Sequence, residues 1–165
     1  MRPTAKPTRS HQHIYRAALA WTGAAEGPTT SYQSYSREYR VEIPGKPAFQ
    51  GSADQAFRGD PALVNPEDLL VVALSSCHML SYLALCARAA LPVVSYTDEA
   101  QGTMDMRDGK IRFVEVVLRP RVVVGKGAEL ERARKLHEDA HGLCFIANSV
   151  NFPVRNEPQV TEAAS

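Results

Sequence analysis

The sequence has little net charge and few cysteines, and each shortage argues against a class of protein. Its 19 Lys and Arg residues nearly balance its 18 Asp and Glu residues, so no global field would draw the chain to nucleic acid or to an anionic membrane. Three cysteines cannot complete a set of bridges within one chain, which argues against a secreted disulfide scaffold. We therefore expect a cytoplasmic protein that binds neither nucleic acid nor a membrane.

The N-terminal segment lacks the apolar stretch that a signal peptide requires. Residues 1–16 contain Arg, Lys, Pro, Thr and His instead. We expect flexible termini at residues 1–12 and 161–165. The intervening residues 13–160 contain no internal repeat, and with 44% of the whole chain apolar there is enough material for one core. We expect a single domain over this range.

Long uncharged runs are also scarce, and the one that exists predicts a buried helix. Residues 69–87 carry no formal charge, which is a length that could cross a membrane. Ser75, Ser76 and His78 interrupt the middle of this run. A helix that is apolar on nearly all sides can equally be the core helix of a globular protein, and we expect that structure here.

The ends of this helix are marked by local signals. Asn65 is a capping residue, Pro66 suits the first helical position, and Glu67 is an acid near the positive end of the helix dipole. Pro92 disfavours a helical conformation at the residue before it. We therefore predict a helix from about residue 65 to about residue 90.

The other segments predict strands and a second helix. In residues 31–43, polar and apolar residues alternate with the period of a half-buried strand, which places Arg37 on the apolar face and Arg40 on the opposite face. Asp108 and Gly109 predict a hairpin turn. The remaining predicted elements are strands at 13–21, 48–51, 93–106, 110–124 and 153–160, a helix at 129–142, and a short apolar element at 144–150. This order predicts an α+β fold with an antiparallel sheet around a long central helix.

The three cysteines differ in their surroundings. Cys77 and Cys86 lie nine residues apart on the predicted helix, about 180° around it and about 13 Å along it, so these two cannot form a disulfide. Cys144 could pair with either of them. Polar residues flank Cys77, whereas Cys86 has apolar neighbours, which raise the pKa of a thiol and leave it inert.

Two other interpretations of these residues are open. His137, His141 and Cys144 fall at i, i+4 and i+7, a spacing that could present three ligands to zinc. The cysteines could also be small buried side chains in a non-catalytic ligand-binding or structural dimer.

Two cysteine-containing motifs resemble the OsmC/Ohr family. The first is Asn-Pro-Glu-Asp-Leu-Leu at 65–70, followed by Ala-Leu-Ser-Ser-Cys-His at 73–78. The second is Cys-Phe-Ile-Ala-Asn-Ser-Val-Asn-Phe-Pro-Val at 144–154, preceded by Leu-His-Glu at 136–138. Residues 35–37, 51–54 and 57–60 are similar to the same branch of the family. The resemblance covers nearly the whole chain, from about residue 13 to residue 160.

This resemblance implies a cysteine peroxidase that acts on organic hydroperoxides as an intertwined homodimer, without a cofactor or metal. Cys77 would attack the peroxide and become a sulfenic acid, and Cys144 would resolve it as a Cys77–Cys144 disulfide. Arg37 would hold the thiolate, and Glu67 would orient the arginine. A dithiol such as a lipoyl group would be the reductant.

The role of Glu67 raises a geometric difficulty. Ten residues separate it from Cys77, or about 15 Å along a regular helix. Either the first turns are not helical, or Glu67 acts from the partner subunit.

Overall fold

A computed structural model describes residues 12–164 of the chain. The predicted flexible N-terminus therefore lies almost entirely outside the described residues, and so does residue 165. The contacts divide the chain into two compact units, with the boundary between Asn65 and Pro66. The single domain expected over residues 13–160 stays a prediction.

The N-terminal unit contains a three-stranded antiparallel sheet. Its strands are β1 (Ala18–Trp21), β2 (Tyr39–Glu42) and β3 (Phe49–Gly51), in the order β1-β2-β3. The predicted strand at 48–51 is confirmed, and the strand predicted at 13–21 is present only in its last four residues.

The strand predicted over residues 31–43 is wrong in its first half. Strand β2 begins only at Tyr39, because serine side chains before it bond to the local backbone and compete with strand pairing. The Ser34 hydroxyl accepts a hydrogen bond from the Ser31 N–H at 3.1 Å and donates one to the Ser31 carbonyl at 3.2 Å. The alternation that placed Arg37 on an apolar strand face therefore does not extend to this residue.

The C-terminal unit contains two helices and two three-stranded sheets. The helices are α1 (Pro66–Arg88) and α2 (Leu130–Leu143). The strands are β4 (Val93–Asp98), β5 (Gln101–Arg107), β6 (Lys110–Leu118), β7 (Pro120–Val124), β8 (Val154–Asn156) and β9 (Gln159–Glu162). The sheet orders are β4-β7-β9 and β5-β6-β8. The α+β class is confirmed, and β9 extends two residues past the predicted end of the domain.

These sheets are mixed, whereas an antiparallel sheet was expected. Strand β8 pairs parallel with β6, and β9 pairs parallel with β7. The last three predicted strands, at 93–106, 110–124 and 153–160, are also each divided in two. At one break the Arg119 N–H donates to Asp98 Oδ1 at 2.7 Å, so a side chain takes the place of a backbone partner between the sheets. The hairpin at Asp108 and Gly109 is confirmed, with φ of 52° and 75°.

Helix α1 starts where the sequence predicts and ends two residues earlier. After the helix, Ala90 adopts a left-handed backbone conformation with a φ of 54°. The Leu91 N–H donates to the Cys86 carbonyl at 2.9 Å. Among the described residues, α1 is the one helix long and apolar enough to cross a membrane, a test that core helices of soluble proteins also pass.

One stripe of α1 is buried in the C-terminal unit. Leu74, His78, Tyr82 and Cys86 recur every four residues along it and are buried. Tyr82 and Cys86 pack in an apolar cluster with Ala133 and other residues of α2, β7 and β9. This packing fixes the two helices that carry the candidate site.

Candidate active site

Two cysteines from different elements meet in the C-terminal unit. Cys77 lies on α1 and is half-buried, while Cys144 follows the last residue of α2 and is 1% exposed. The Cys77 thiol lies close enough to Cys144 to raise the pKa of the Cys144 thiol, and neither cysteine forms a disulfide. The structure thus brings together the two cysteines for which the family resemblance implies a redox role.

The buried thiol of this pair is held in its protonated form. Burial is the largest cause that raises the pKa of Cys144 to about 11, and the contact with Cys77 acts in the same direction. The Ala147 N–H donates to Cys144 Sγ at 3.4 Å and opposes the rise. Because a thiol is a weak nucleophile until it loses its proton, the arrangement favours Cys77 as the first group to react.

The backbone around Cys144 is firmly held. Its N–H donates to the His141 carbonyl at 3.2 Å, and its carbonyl accepts from the Asn148 N–H at 3.0 Å. The Asn148 side chain donates to the Gly142 carbonyl at 3.0 Å. Cys144 therefore lies in a tight turn at the end of α2.

Cys86 has the inert surroundings that the sequence predicts. It is 1% exposed, and burial raises the pKa of its thiol. The neighbouring Tyr82 side chain lowers the pKa of this thiol by less than burial raises it.

Arg37 belongs to the N-terminal unit, and its contacts there are local. Its guanidinium donates to the carbonyls of Tyr32 and Tyr35. It also lies 3.8 Å from the centre of the Tyr35 ring and 4.8 Å from that of Tyr32. Arg40, the competing cation, instead pairs with Glu42 at 2.9 Å on an exposed surface. The role of Arg37 at the thiolate stays a prediction.

Glu67 lies in the first turn of α1. The helix is continuous from Pro66 to Arg88, so Glu67 is about 15 Å along the axis from Cys77. The alternative in which the first turns are not helical is therefore wrong. Action from a partner subunit stays a prediction.

The structure also contains a buried histidine pair that the sequence did not predict. His78 Nε2 and His137 Nδ1 lie 3.0 Å apart across the contact between α1 and α2, and both residues are fully buried. The Tyr82 ring stacks on the His137 ring with centroids 3.7 Å apart. One feature of the sequence could have indicated that these histidines are buried. His78 lies four residues from Leu74 and from Tyr82 in α1, and His137 lies four residues from Ala133 in α2, so each is on the buried stripe of its helix.

Burial keeps this pair neutral. It lowers the pKa of His78 to about 4, with a smaller lowering by His141 and an opposing rise from Asp98. It lowers the pKa of His137 to about 3, and His78 contributes in the same direction. At neutral pH one ring therefore donates its N–H to the bare nitrogen of the other.

The zinc interpretation of His137, His141 and Cys144 is not supported. Residues 12–164 contain no group of three or more His, Cys, Asp or Glu side chains that could hold a metal ion. Two of the three proposed ligands instead make other contacts, His137 with His78 and Cys144 with Cys77.

Comparisons with known proteins agree with this fold. A family model described as OsmC-like protein matches residues 59–158. The structure of an OsmC-like protein of unknown function from Vibrio cholerae is 37% identical, with a TM-score of 0.83, and covers 90% of this chain and 100% of that chain. An organic hydroperoxide resistance protein from Elizabethkingia anophelis has the same fold at 20% identity, with a TM-score of 0.65 and coverage of 92% and 99%.

A further similarity is to a curated bacterial protein. The uncharacterized protein YmaD of Bacillus subtilis is 25% identical over 89 residues, which are 52% of this chain and 59% of that protein. The matched stretch thus spans less than two thirds of this relative.

Proposed function

The chain belongs to the OsmC-like protein family, and on that premise we propose that it is a thiol peroxidase that reduces organic hydroperoxides. The observation that carries this proposal is the contact between the half-buried thiol of Cys77 and the buried, protonated thiol of Cys144. Family neighbours of known structure that are described as organic hydroperoxide resistance proteins support the choice of substrate class.

The first step oxidises Cys77. Its thiolate attacks one peroxide oxygen, the O–O bond breaks, and the other oxygen leaves with the electron pair and takes up a proton to become an alcohol. Cys77 becomes a sulfenic acid.

The second step joins the two cysteines. Cys144 gives up its proton and attacks the sulfur of the sulfenic acid, so that an S–S bond forms and the hydroxyl group leaves as water. An external dithiol, such as a dihydrolipoyl group, then donates two electrons and two protons and becomes a disulfide itself. We propose that this cycle operates in a reducing cytoplasm, where such dithiols are available.

Arg37 and Glu67 complete the proposed site. Arg37 would stabilise the Cys77 thiolate by charge and donate to the departing oxygen, because a guanidinium stays protonated. Glu67 would orient that arginine from the partner subunit of a homodimer. An apolar stripe on α1 supports the dimer, since Val72 is 60% exposed and Leu80 is 63% exposed, and both would be covered by a second helix.

Steady-state turnover tests this function. The reduced protein is supplied with tert-butyl hydroperoxide or hydrogen peroxide, with dihydrolipoamide as the electron donor. We expect faster turnover of the organic peroxide, no turnover in Cys77→Ser, and wild-type turnover in the matched variant Cys86→Ser. No turnover of either peroxide by wild-type protein with titratable thiols would overturn the proposal, and so would equal losses in Cys77→Ser and Cys86→Ser.

A further inference from the structure

The histidine pair, His78 and His137, links the two elements that carry the reactive thiols. His78 directly follows Cys77 on α1, and His137 lies seven residues before Cys144, about 10 Å along α2. The single hydrogen bond of 3.0 Å between the rings therefore joins α1 next to Cys77 to α2 about two turns before Cys144.

This pair is a poor source of stability. A neutral pair uses one nitrogen of each ring, and the two outer nitrogens, His78 Nδ1 and His137 Nε2, are buried without a hydrogen-bond partner among the described residues. Buried polar atoms left in that state destabilise a fold, and apolar side chains of similar volume would avoid the cost. Two leucines would not, however, provide a link of fixed length and direction.

The surrounding contacts hold the link in place. The Tyr82 ring covers one face of His137, and the His78 and His137 rings are tilted by only 10° from each other. Further along, Cys144 is bonded through its backbone to His141 on α2. A shift of His137 relative to His78 would therefore move the Cys144 thiol relative to Cys77.

We propose that His78 and His137 are positioning residues that hold α2 against α1, so that the Cys144 thiol stays in contact with the Cys77 thiol. A disulfide requires sulfur atoms about 2.05 Å apart with a defined dihedral angle, and misplacement by about 1 Å can slow a reaction by about a hundredfold. The inference rests on the proposed function only for the use of this geometry in peroxide reduction.

The test measures the effective concentration of the two thiols by equilibrating the protein with reduced and oxidised glutathione. Two variants of His137 carry the same amide group and differ only in the length of the side chain. In His137→Asn the amide occupies the place of Nδ1 and can still meet His78, whereas in His137→Gln the amide lies one carbon further out and cannot. We expect Asn to stay near the wild-type value and Gln to fall by about tenfold or more.

A third variant separates position from stability. His78→Leu/His137→Leu removes the link and fills the space, and we expect an unchanged or higher melting temperature with an effective concentration reduced by at least about tenfold. Cys86→Ser, on the same helix, should match the wild type. Equal effective concentrations in His137→Asn and His137→Gln would overturn the proposal, and this outcome can be read even if the double variant does not fold.

This experiment also separates the inference from the proposed function. The glutathione equilibrium requires no peroxide, so a chain without peroxidase activity would still report the effective concentration. Failure of the peroxidase proposal appears in wild-type turnover, and failure of the positioning proposal appears in the Asn and Gln variants.

Discussion

The neutral histidine pair predicts that acid destabilises the fold over a defined range of pH. Burial lowers the pKa of His78 to about 4 and that of His137 to about 3, whereas a histidine in the unfolded chain has a pKa of about 6.5. Between these values only the unfolded chain takes up protons. The free energy of unfolding is therefore not reduced by protonation of these histidines above about pH 6.5, and it decreases as the pH falls towards 4.

The expected loss can be calculated at pH 5. An unfolded histidine is then about 97% protonated while both native rings are still neutral, so each histidine costs about 2 kcal/mol relative to pH 8, or about 4 kcal/mol for the pair. Charge repulsion between the two rings does not add to this loss at pH 5, because neither ring is charged in the native state at this pH. The groups that face the pair are Tyr82 on α1, His141 on α2, and Tyr96 and Asp98 on β4. They are unchanged in the variants.

Urea unfolding at pH 8 and pH 5, followed by circular dichroism, measures this effect. The wild type should lose about 4 kcal/mol more than His78→Gln/His137→Asn on going from pH 8 to pH 5. His13 is exposed, and His13→Gln should therefore behave as the wild type. An identical loss in the double variant and the wild type would refute the reasoning, because it would mean that the pair is not held neutral in the fold.

The remaining predictions concern the thiols, the arginine and the dimer. One equivalent of tert-butyl hydroperoxide should leave Cys144→Ser as a sulfenic acid at Cys77 that a dimedone probe labels, whereas rapid disulfide formation in that variant would contradict the assignment. Arg37→Ala should slow oxidation of Cys77 at pH 7 by about tenfold, with partial recovery at higher pH, because the thiolate loses a stabilising charge; an equal effect of Arg40→Ala in stopped-flow oxidation would show that Arg37 has no special role. Solution scattering at micromolar concentration should find a dimer, and Leu80→Asp should weaken it by about a hundredfold, since the dimer would bury an unpaired carboxylate; a wild-type monomer would contradict the proposed interface.

Elements that depend on local signals could be predicted from the sequence. Helix α1 begins at Pro66, as the capping residue and the proline indicate, and the turn at Asp108 and Gly109 has the positive φ angles that this dipeptide favours. The parallel pairing of β8 with β6 and of β9 with β7 depends on residues far apart in the chain. No local pattern specifies such pairings, and the sequence predicted an antiparallel sheet instead.

The candidate site divides in the same way. Helical spacing excluded a Cys77–Cys86 bridge, and the resemblance supplied Cys144 as the partner, which the structure places in contact with Cys77. The histidine pair was missed because its members are far apart in the sequence and belong to different helices. The alternating pattern wrongly placed Arg37 within a strand. Serine side chains bond to the local backbone before β2, so the strand does not extend to this residue.

Peptide mapping of the oxidised protein tests the central claim most directly. Reduced wild-type protein is treated with one equivalent of tert-butyl hydroperoxide, free thiols are alkylated, and the digest is analysed by mass spectrometry without reduction. The proposed mechanism predicts a peptide pair joined by a Cys77–Cys144 disulfide, with Cys86 recovered as an alkylated thiol. Three alkylated cysteines after peroxide treatment, or a disulfide that contains Cys86, would contradict it.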